Sequence, residues 1–388
     1  TLREKDPTNG NDLYLTIDSG LQRNLDYLMS NAYSESGAEV VTAGVMEIKT
    51  GKILAMSTYP SFNPNERNIS TFNNYFLEGT IECGSVFKPF IYADSIEEGK
   101  YDHNAYYNSG NYNVYYGNKL VATIKDHNGG QGWGTITYDQ GLYHSSNVAI
   151  CNLLDQGYVT KDVLTEKLND LGFFQGDTMD GLTCSSSINA YTRKNAGRLE
   201  YLTTGFGQGS TVTPYQLLKA YSVFGNDGKT VQPHIVDKVV NPVTNKVVYQ
   251  ATPKYSKQIF STNTISQVKD LMLGVIEDEQ GTGKTYRLDN DVRMIGKTGT
   301  GQVVENGGYS TTLYMHSFVG IAPYDDPQVV MFLTFKSGDS YAQYMPNIVK
   351  QTMNEALQVV NRYNAKNTTA VDQSCTLDLS LIHISEPT

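Results

Sequence analysis

The chain has 388 residues, enough for one large domain or two ordinary ones with an ample core. Its hydrophobic share of 39% and charged share of 18% suit a folded chain in water, and its net charge of −10 argues against nucleic acid as a partner. No run of about 18 apolar residues is present, so nothing in it reads as a membrane span.

Residues 1–12 read as a polar remnant of an upstream pedestal or linker. "LYLTIDSGLQRNLDYLMSNA" then predicts a short strand and a helix capped by Asp18 or Ser19, with Leu21, Leu25, Leu28, Met29 and Ala32 on one face. "AEVVTAGVMEIKTGKILAMSTYP" predicts a hairpin turning at Lys49–Lys52. In "IECGSVFKPF", Gly84 permits a sharp turn into a helix that starts at Ser85 and places Lys88 on the same side. Residues 100–138, rich in Tyr, Asn and Gly, suit short hairpins. "DQGLYHSSNVAICNLLDQG" begins a helix, which Ser145 opens after a loop, and "TKDVLTEKLNDLGF" gives another with Val163, Leu164, Leu168 and Leu171 inward. A loop–helix unit at 202–229, an extended stretch at 231–250 and a helix at 261–276 follow. Three strands come next, the first an edge strand carrying Lys297, and then a helix burying Ile348, Val349, Met353, Ala356, Leu357 and Val360. The tail from 363 is polar, and its end, "LSLIHISEPT", resembles translated adapter sequence and is excluded from the fold. Strands at both ends with helices between predict an α/β domain whose sheet is interrupted by a helical subdomain.

The cysteines, Cys83, Cys151, Cys184 and Cys375, lack paired spacing, and the histidines are dispersed. Neither a metal site nor a dense disulfide framework follows; buried free thiols are expected, with a bridge between two of them left open.

Three polar motifs occur in order: Ser85-x-x-Lys88, Ser145-x-Asn147 and Lys297-Thr298-Gly299-Thr300. Each alone is weak. Ser266-x-x-Lys269 repeats the first on an amphipathic helix. Lys49 repeats the third in a hairpin turn, and Lys336 repeats it at the end of a strand with no suitable strand partner. Serine is a poor nucleophile at neutral pH, and a neutral lysine one turn away can take its proton. "GTGKT" at 281–285 is not a phosphate loop, because Asp278 stands where that pattern needs glycine; it reads as a helix stop.

The ordered trio resembles the motif set of serine β-lactamases and penicillin-binding proteins. The blocks "TAGVMEIKTGKILAMSTYPSFNPN", "CGSVFKPF", "SSNVA", "GFGQGSTVTPYQLLKAYSVFGNDGK", "GKTGTGQ" and "HSFVGIAPYDDP" are similar to the transpeptidase domain of class B, monofunctional penicillin-binding proteins over residues 13–362. That resemblance implies a penicillin-recognising fold: a five-stranded antiparallel sheet flanked by helices, with a helical subdomain. It implies a peptidoglycan D,D-transpeptidase acting on stem peptides that end in D-Ala-D-Ala, blocked by β-lactams and needing no cofactor.

In the same reading Ser85 is the nucleophile and Lys88 its base, its pKa lowered by burial and by Lys297. Ser145 bridges the lysines and protonates the leaving amine, and Asn147 holds the substrate amide. Lys297, Thr298, Gly299 and Thr300 bind the substrate carboxylate, and the N–H groups of Ser85 and Thr300 form the oxyanion hole. The resemblance also implies an N-terminal membrane anchor, a site of action on the outer face of the cytoplasmic membrane, and partners in a glycan polymerase and a division or elongation complex. "SSNVA" and "HSFVGIAP" lean towards the division type. Cys83 stands where the family commonly has proline and Gly301 where it often has alanine, the latter a change expected to be harmless. The rival readings are a β-lactamase, which would need a deacylating Glu such as Glu166, a β-lactam sensor, and an inactive scaffold.

Overall fold

The computed structural model describes residues 9–66, 69, 72–305 and 307–381, with side-chain surroundings as far as residue 366. Residues 1–8, the side chain of Cys375 and residues 382–388 lie outside the described set.

The first strand, β1 (Asp12–Leu15), leads into α1 (Ser19–Ser36). Asp18 caps that helix by accepting from the N–H groups of Gly20 and Leu21, which satisfies donors that have no intrahelical partner. The residues α1 buries are those its period predicts: Leu21, Leu25, Leu28, Met29 and Ala32. The predicted hairpin is β2 (Val40–Glu47) and β3 (Ile53–Tyr59). After α2 (Tyr75–Glu78), a 3-10 turn (Gly84–Phe87) runs directly into α3 (Lys88–Glu97). Helix α3 is buried on all sides, the mark of a core helix.

The Tyr/Asn/Gly-rich stretch folds into β4 (Tyr106–Asn108), β5 (Asn111–Tyr116), β6 (Lys119–Lys125) and β7 (Thr135–Thr137), with β4 pairing β7 and β5 pairing β6. The segment expected as one helix is two, α4 (Tyr138–Tyr143) and α5 (Asn147–Asp155), and Ser145 lies in the bend rather than opening the second. Helix α6 (Lys161–Asp170) buries Leu164 and Leu168. The hairpin β8 (Asp177–Met179) and β9 (Leu182–Cys184) precedes α7 (Arg198–Gly205) and α8 (Pro214–Tyr221). Strands β10 (Val236–Asn241) and β11 (Lys246–Gln250) join β1 in a small sheet. Helix α9 (Thr262–Glu277) buries Ile265, Val268, Leu271 and Met272, which leaves the second Ser-x-x-Lys pair on an ordinary helix.

The last three strands are β12 (Ile295–Glu305), β13 (Gly308–Ala322) and β14 (Val329–Ser337), followed by α10 (Met345–Leu381), which is helical well into the tail expected from residue 363. The main sheet has the order β12-β13-β14-β2-β3 and is antiparallel throughout. Its two faces carry separate cores. On one, α1 and α10 cover Val41, Val45, Phe318 and Leu333; on the other, Phe87, Phe90, Leu153, Leu217 and Phe332 belong to the core of the helical layer. The Lys336 decoy was misjudged: β14 is the central strand, partnered on both sides, and Lys336 pairs with Glu39 at 2.6 Å.

Candidate active site

Strand β12 is the sheet edge, and the 3-10 turn bearing Ser85 packs against it. Gly84 is left-handed (φ +61°), and a Cβ there would sit 2.3 Å from the carbonyl oxygen of Thr300. Its N–H donates to the carbonyl of Gly207 at 3.0 Å. Only glycine fits so close an approach, and it fixes Ser85 beside Thr300. In a 3-10 turn the side chains at i and i+3 eclipse, so Lys88 lies under Ser85 without the α-helical start expected from the sequence.

Lys88 is fully buried. Its Nζ donates to the carbonyl of Ser145 at 2.5 Å and approaches Ser145 Oγ at 3.4 Å. Lys297, equally buried, donates to Ser145 Oγ at 2.8 Å and to the carbonyl of Thr298 at 3.0 Å. Two amines thus occupy the lone pairs of one hydroxyl and leave its proton free to be given away. Ser85 Oγ has no hydrogen bond among the described residues.

Ser145 holds a left-handed backbone (φ 59°), uncommon outside glycine and maintained by its surroundings. Asp126 supplies the restraint, a residue the sequence reading missed. Its Oδ1 accepts from Ser146 Oγ at 2.9 Å, Asn147 N–H at 2.7 Å and Val148 N–H at 3.1 Å, while Oδ2 accepts from Gly110 N–H at 2.8 Å. Ser146 in turn caps α5 by accepting from Ala149 N–H. Asn147 donates through Nδ2 to the carbonyl of Lys125 at 2.9 Å.

Burial pushes Lys88 down to about 7, outweighing the opposite pull of the Asp126 charge. Lys297 lies well below the ordinary lysine value, first through burial and then through repulsion from Lys88. Burial is the first cause in both lysines, and repulsion between the two amines further disfavours charging them together.

A cleft of about 530 Å³ opens over these groups, and Ser85, Ser145, Asn147, Thr298, Gly299 and Thr300 line it. Lys88 and Lys297 lie behind its wall, so all eight site residues predicted from the sequence come to one place. Also lining it is Thr282, from the "GTGKT" string set aside as a helix stop; its Oγ1 lies 2.9 Å from Thr298 Oγ1. At Gly301 the glycine suits a close approach of strand to turn: a Cβ there would stand 1.6 Å from the carbonyl oxygen of Glu82. Cys83, Cys151 and Cys184 are buried free thiols.

Fold and cleft together define a site at the edge of an antiparallel sheet, built round a Ser-x-x-Lys turn. The chain belongs to the penicillin-binding protein transpeptidase family, whose domain model matches residues 41–358. It is 31% identical to stage V sporulation protein D of Bacillus subtilis over 344 residues, covering 87% of this chain and 51% of that protein. It is 26% identical to a probable peptidoglycan D,D-transpeptidase PenA of Neisseria flavescens, covering 92% of this chain and 85% of that one. Penicillin-binding protein 2X of Streptococcus thermophilus has a similar structure, with a TM-score of 0.81 and 25% identity over 92% of this chain and 53% of that one. Penicillin-binding protein 3 of Mycobacterium tuberculosis, solved with aztreonam, matches with a TM-score of 0.79 and 24% identity over 93% of this chain and 82% of that one. The chain spans about half the length of the first curated relatives, 51% and 56%.

Proposed function

We propose that this domain is a peptidoglycan D,D-transpeptidase that joins stem peptides ending in D-Ala-D-Ala through an ester on Ser85, and that β-lactams acylate the same serine. The observation that carries the reading is the hydroxyl of Ser145 held between two buried amines, with the unpaired Ser85 hydroxyl in the same cleft wall.

Ser85 Oγ attacks the carbonyl carbon of the penultimate residue, and neutral Lys88 takes its proton. The oxyanion rests between the N–H groups of Ser85, at the unpaired start of its turn, and Thr300 on the edge strand; losing one such donor costs about 3 kcal/mol in the transition state. The C–N bond breaks, Ser145 gives its proton to the departing D-alanine amine, and Lys88 restores it through the hydrogen bonds between them. An acceptor amine then attacks the ester carbonyl and loses a proton to neutral Lys88 by way of Ser145; the C–O bond breaks, and Lys88 passes that proton to Ser85, which leaves as the alcohol. Asn147 holds the peptide amide. An extended peptide suits this cleft because, among the described residues, the outer side of β12 has no strand partner.

The relatives' names and the family support a place of action outside the cytoplasm. In the full-length protein we further propose a single N-terminal anchor at the outer face of the cytoplasmic membrane, beside a membrane glycan polymerase in a division or elongation complex. Among the described residues no helix is long and apolar enough to cross a membrane.

The test is labelling of the purified protein with fluorescent penicillin. One covalent label per chain is expected, absent in Ser85→Ala; labelling that survives this substitution removes the reading.

A further inference from the structure

The acceptor that completes the reaction above is a neutral amine, with one lone pair and two hydrogens. Its attack on the ester is the reverse of the step that releases D-alanine, so the arriving nitrogen takes the place of the departing one, beside Ser145. Its lone pair points at the ester carbon and one hydrogen at Ser145 Oγ. The second hydrogen needs a lone pair on another side chain of the cleft wall.

Among the described residues that line the cleft, His127 is the one histidine, and no Asp or Glu accompanies it. It lies in the loop between β6 and β7 and is exposed. Its neighbours pin that loop: Asp126 N–H donates to the carbonyl of Gly110 at 2.9 Å, and Asn128 exchanges two hydrogen bonds with Gly132, at 2.9 and 3.0 Å. The ring itself is fixed. Nε2 lies 2.9 Å from the carbonyl oxygen of His144, the residue before Ser145. A carbonyl can only accept, so Nε2 carries the proton. Trp133 stacks on the His144 ring at 4.5 Å and lies 5.4 Å from that of His127, which holds both rings against the bend. His127 is less basic than an ordinary histidine, first through desolvation and then through repulsion from Lys88 and Lys297, against the pull of its bond to His144 and of the Asp126 charge. In the neutral ring, with Nε2 committed, Nδ1 is a bare lone pair. It has no hydrogen-bond partner among the described residues.

We propose that His127 Nδ1 is the seat of the acceptor amine, accepting its second hydrogen and so aiming its lone pair at the ester on Ser85. This rests on the acyl-transfer reading above and deepens it. His127 makes and breaks no covalent bond; the proton that the amine loses still goes to Lys88 by way of Ser145. One loop thus serves the Ser145 bend twice: Asp126 fixes its shape, and His127 receives the group that reacts there.

Ser85 is acylated with a thioester of an N-acylated D-alanine, and the resulting ester partitions between water and glycinamide at about pH 8, where His127 and much of the amine are neutral. Acid and amide products are measured over a range of glycinamide concentrations in the parent, His127→Gln and His127→Asn, with thermal unfolding as the check on folding. Their ratio does not depend on how fast the ester forms. Glutamine keeps a donor where Nε2 lies and loses Nδ1; asparagine puts an oxygen where Nδ1 lies and loses the donor. For His127→Gln the glycinamide concentration that gives equal products is expected to rise about three- to tenfold, as loss of one neutral hydrogen bond implies, with hydrolysis changed by less than about twofold. His127→Asn is expected to stay within about twofold of the parent. Should the glutamine variant not fold, His127→Ala carries the same comparison. Glutamine behaving like the parent leaves His127 at most a brace for the bend, and hydrolysis falling as far as transfer makes it a base for water. Either result overturns the acceptor seat, as does equal impairment of both variants, or a parent that hydrolyses the ester and never transfers it. A parent that neither the thioester nor penicillin acylates overturns the acyl-transfer reading itself, and the seat with it.

Discussion

Lys88 is where sequence chemistry and burial meet most sharply. A surface lysine is a cation at neutral pH and no base; enclosure brings this one down to about 7 against the pull of Asp126. The fraction of free amine therefore climbs about tenfold per pH unit below 7 and saturates above it. Acylation by penicillin is expected to follow that curve, with a midpoint near 7, and Lys88→Met to lower its plateau about a thousandfold. The same burial carries a penalty. The folded-state pKa is depressed, so unfolding takes up a proton between about 7 and the ordinary 10.5. The loss of stability is complete below about 7 and disappears as pH rises to 10.5. Lys88→Met is accordingly expected to unfold at a higher temperature than the parent at pH 7, by a margin that shrinks towards pH 10. A variant that loses acylation and gains no stability at pH 7 contradicts the burial account.

At the scale of elements, local pattern was enough wherever one side of an element faces a core. The Asp18 cap, the inward face of α1, the hairpin at Lys49–Lys52 and the buried stripe of α10 follow from periods and turn residues that neighbours in sequence supply. The break between α4 and α5 was not legible in this way. No glycine or proline lies between Leu142 and Asp155, and the bend is stabilised by Asp126, which reaches Ser146 and Asn147 from a separate segment. Thr282 was missed for a related reason: its turn does stop a helix, as read, and only the register of β12 reveals that the stop faces Thr298.

Gly301 makes the point as a prediction. Motif comparison treats alanine there as equivalent, yet β12 lies so close to the Glu82–Gly84 backbone that a methyl group meets the Glu82 carbonyl at 1.6 Å. Backbone cannot rotate away as a side chain can, so strand and turn must separate. Gly301→Ala is expected to lower stability by about 1–3 kcal/mol and to slow acylation at least tenfold by parting Thr300 from Ser85. Unchanged labelling and an unchanged melting temperature in this variant would mean that the contact between strand and turn is looser than described.

At the scale of the whole molecule, the cleft forms where the edge of the sheet meets the helical layer, and each side contributes what the other lacks. The helical layer brings Ser85, Lys88 and Ser145; the sheet brings Lys297 from 152 residues beyond Ser145 and the open edge of β12. What neither brings bears on the choice between the cross-linking function proposed above and a β-lactamase. Hydrolysis of the ester needs a base to activate water, which in one β-lactamase class is a glutamate. Among the described residues no Asp or Glu lines the cleft. The candidate from sequence spacing, Glu166, is an exposed residue of α6 outside the lining. Water reaching the acyl-enzyme thus finds no carboxylate to take its proton, whereas an acceptor amine is a good nucleophile once it is neutral. The penicilloyl-enzyme is therefore expected to persist for hours rather than well under a second, and Glu166→Gln to leave that lifetime unchanged within twofold, both followed by loss of fluorescent label after excess penicillin is removed. Rapid loss that Glu166→Gln abolishes would place a deacylating glutamate on α6 and make the domain a β-lactamase.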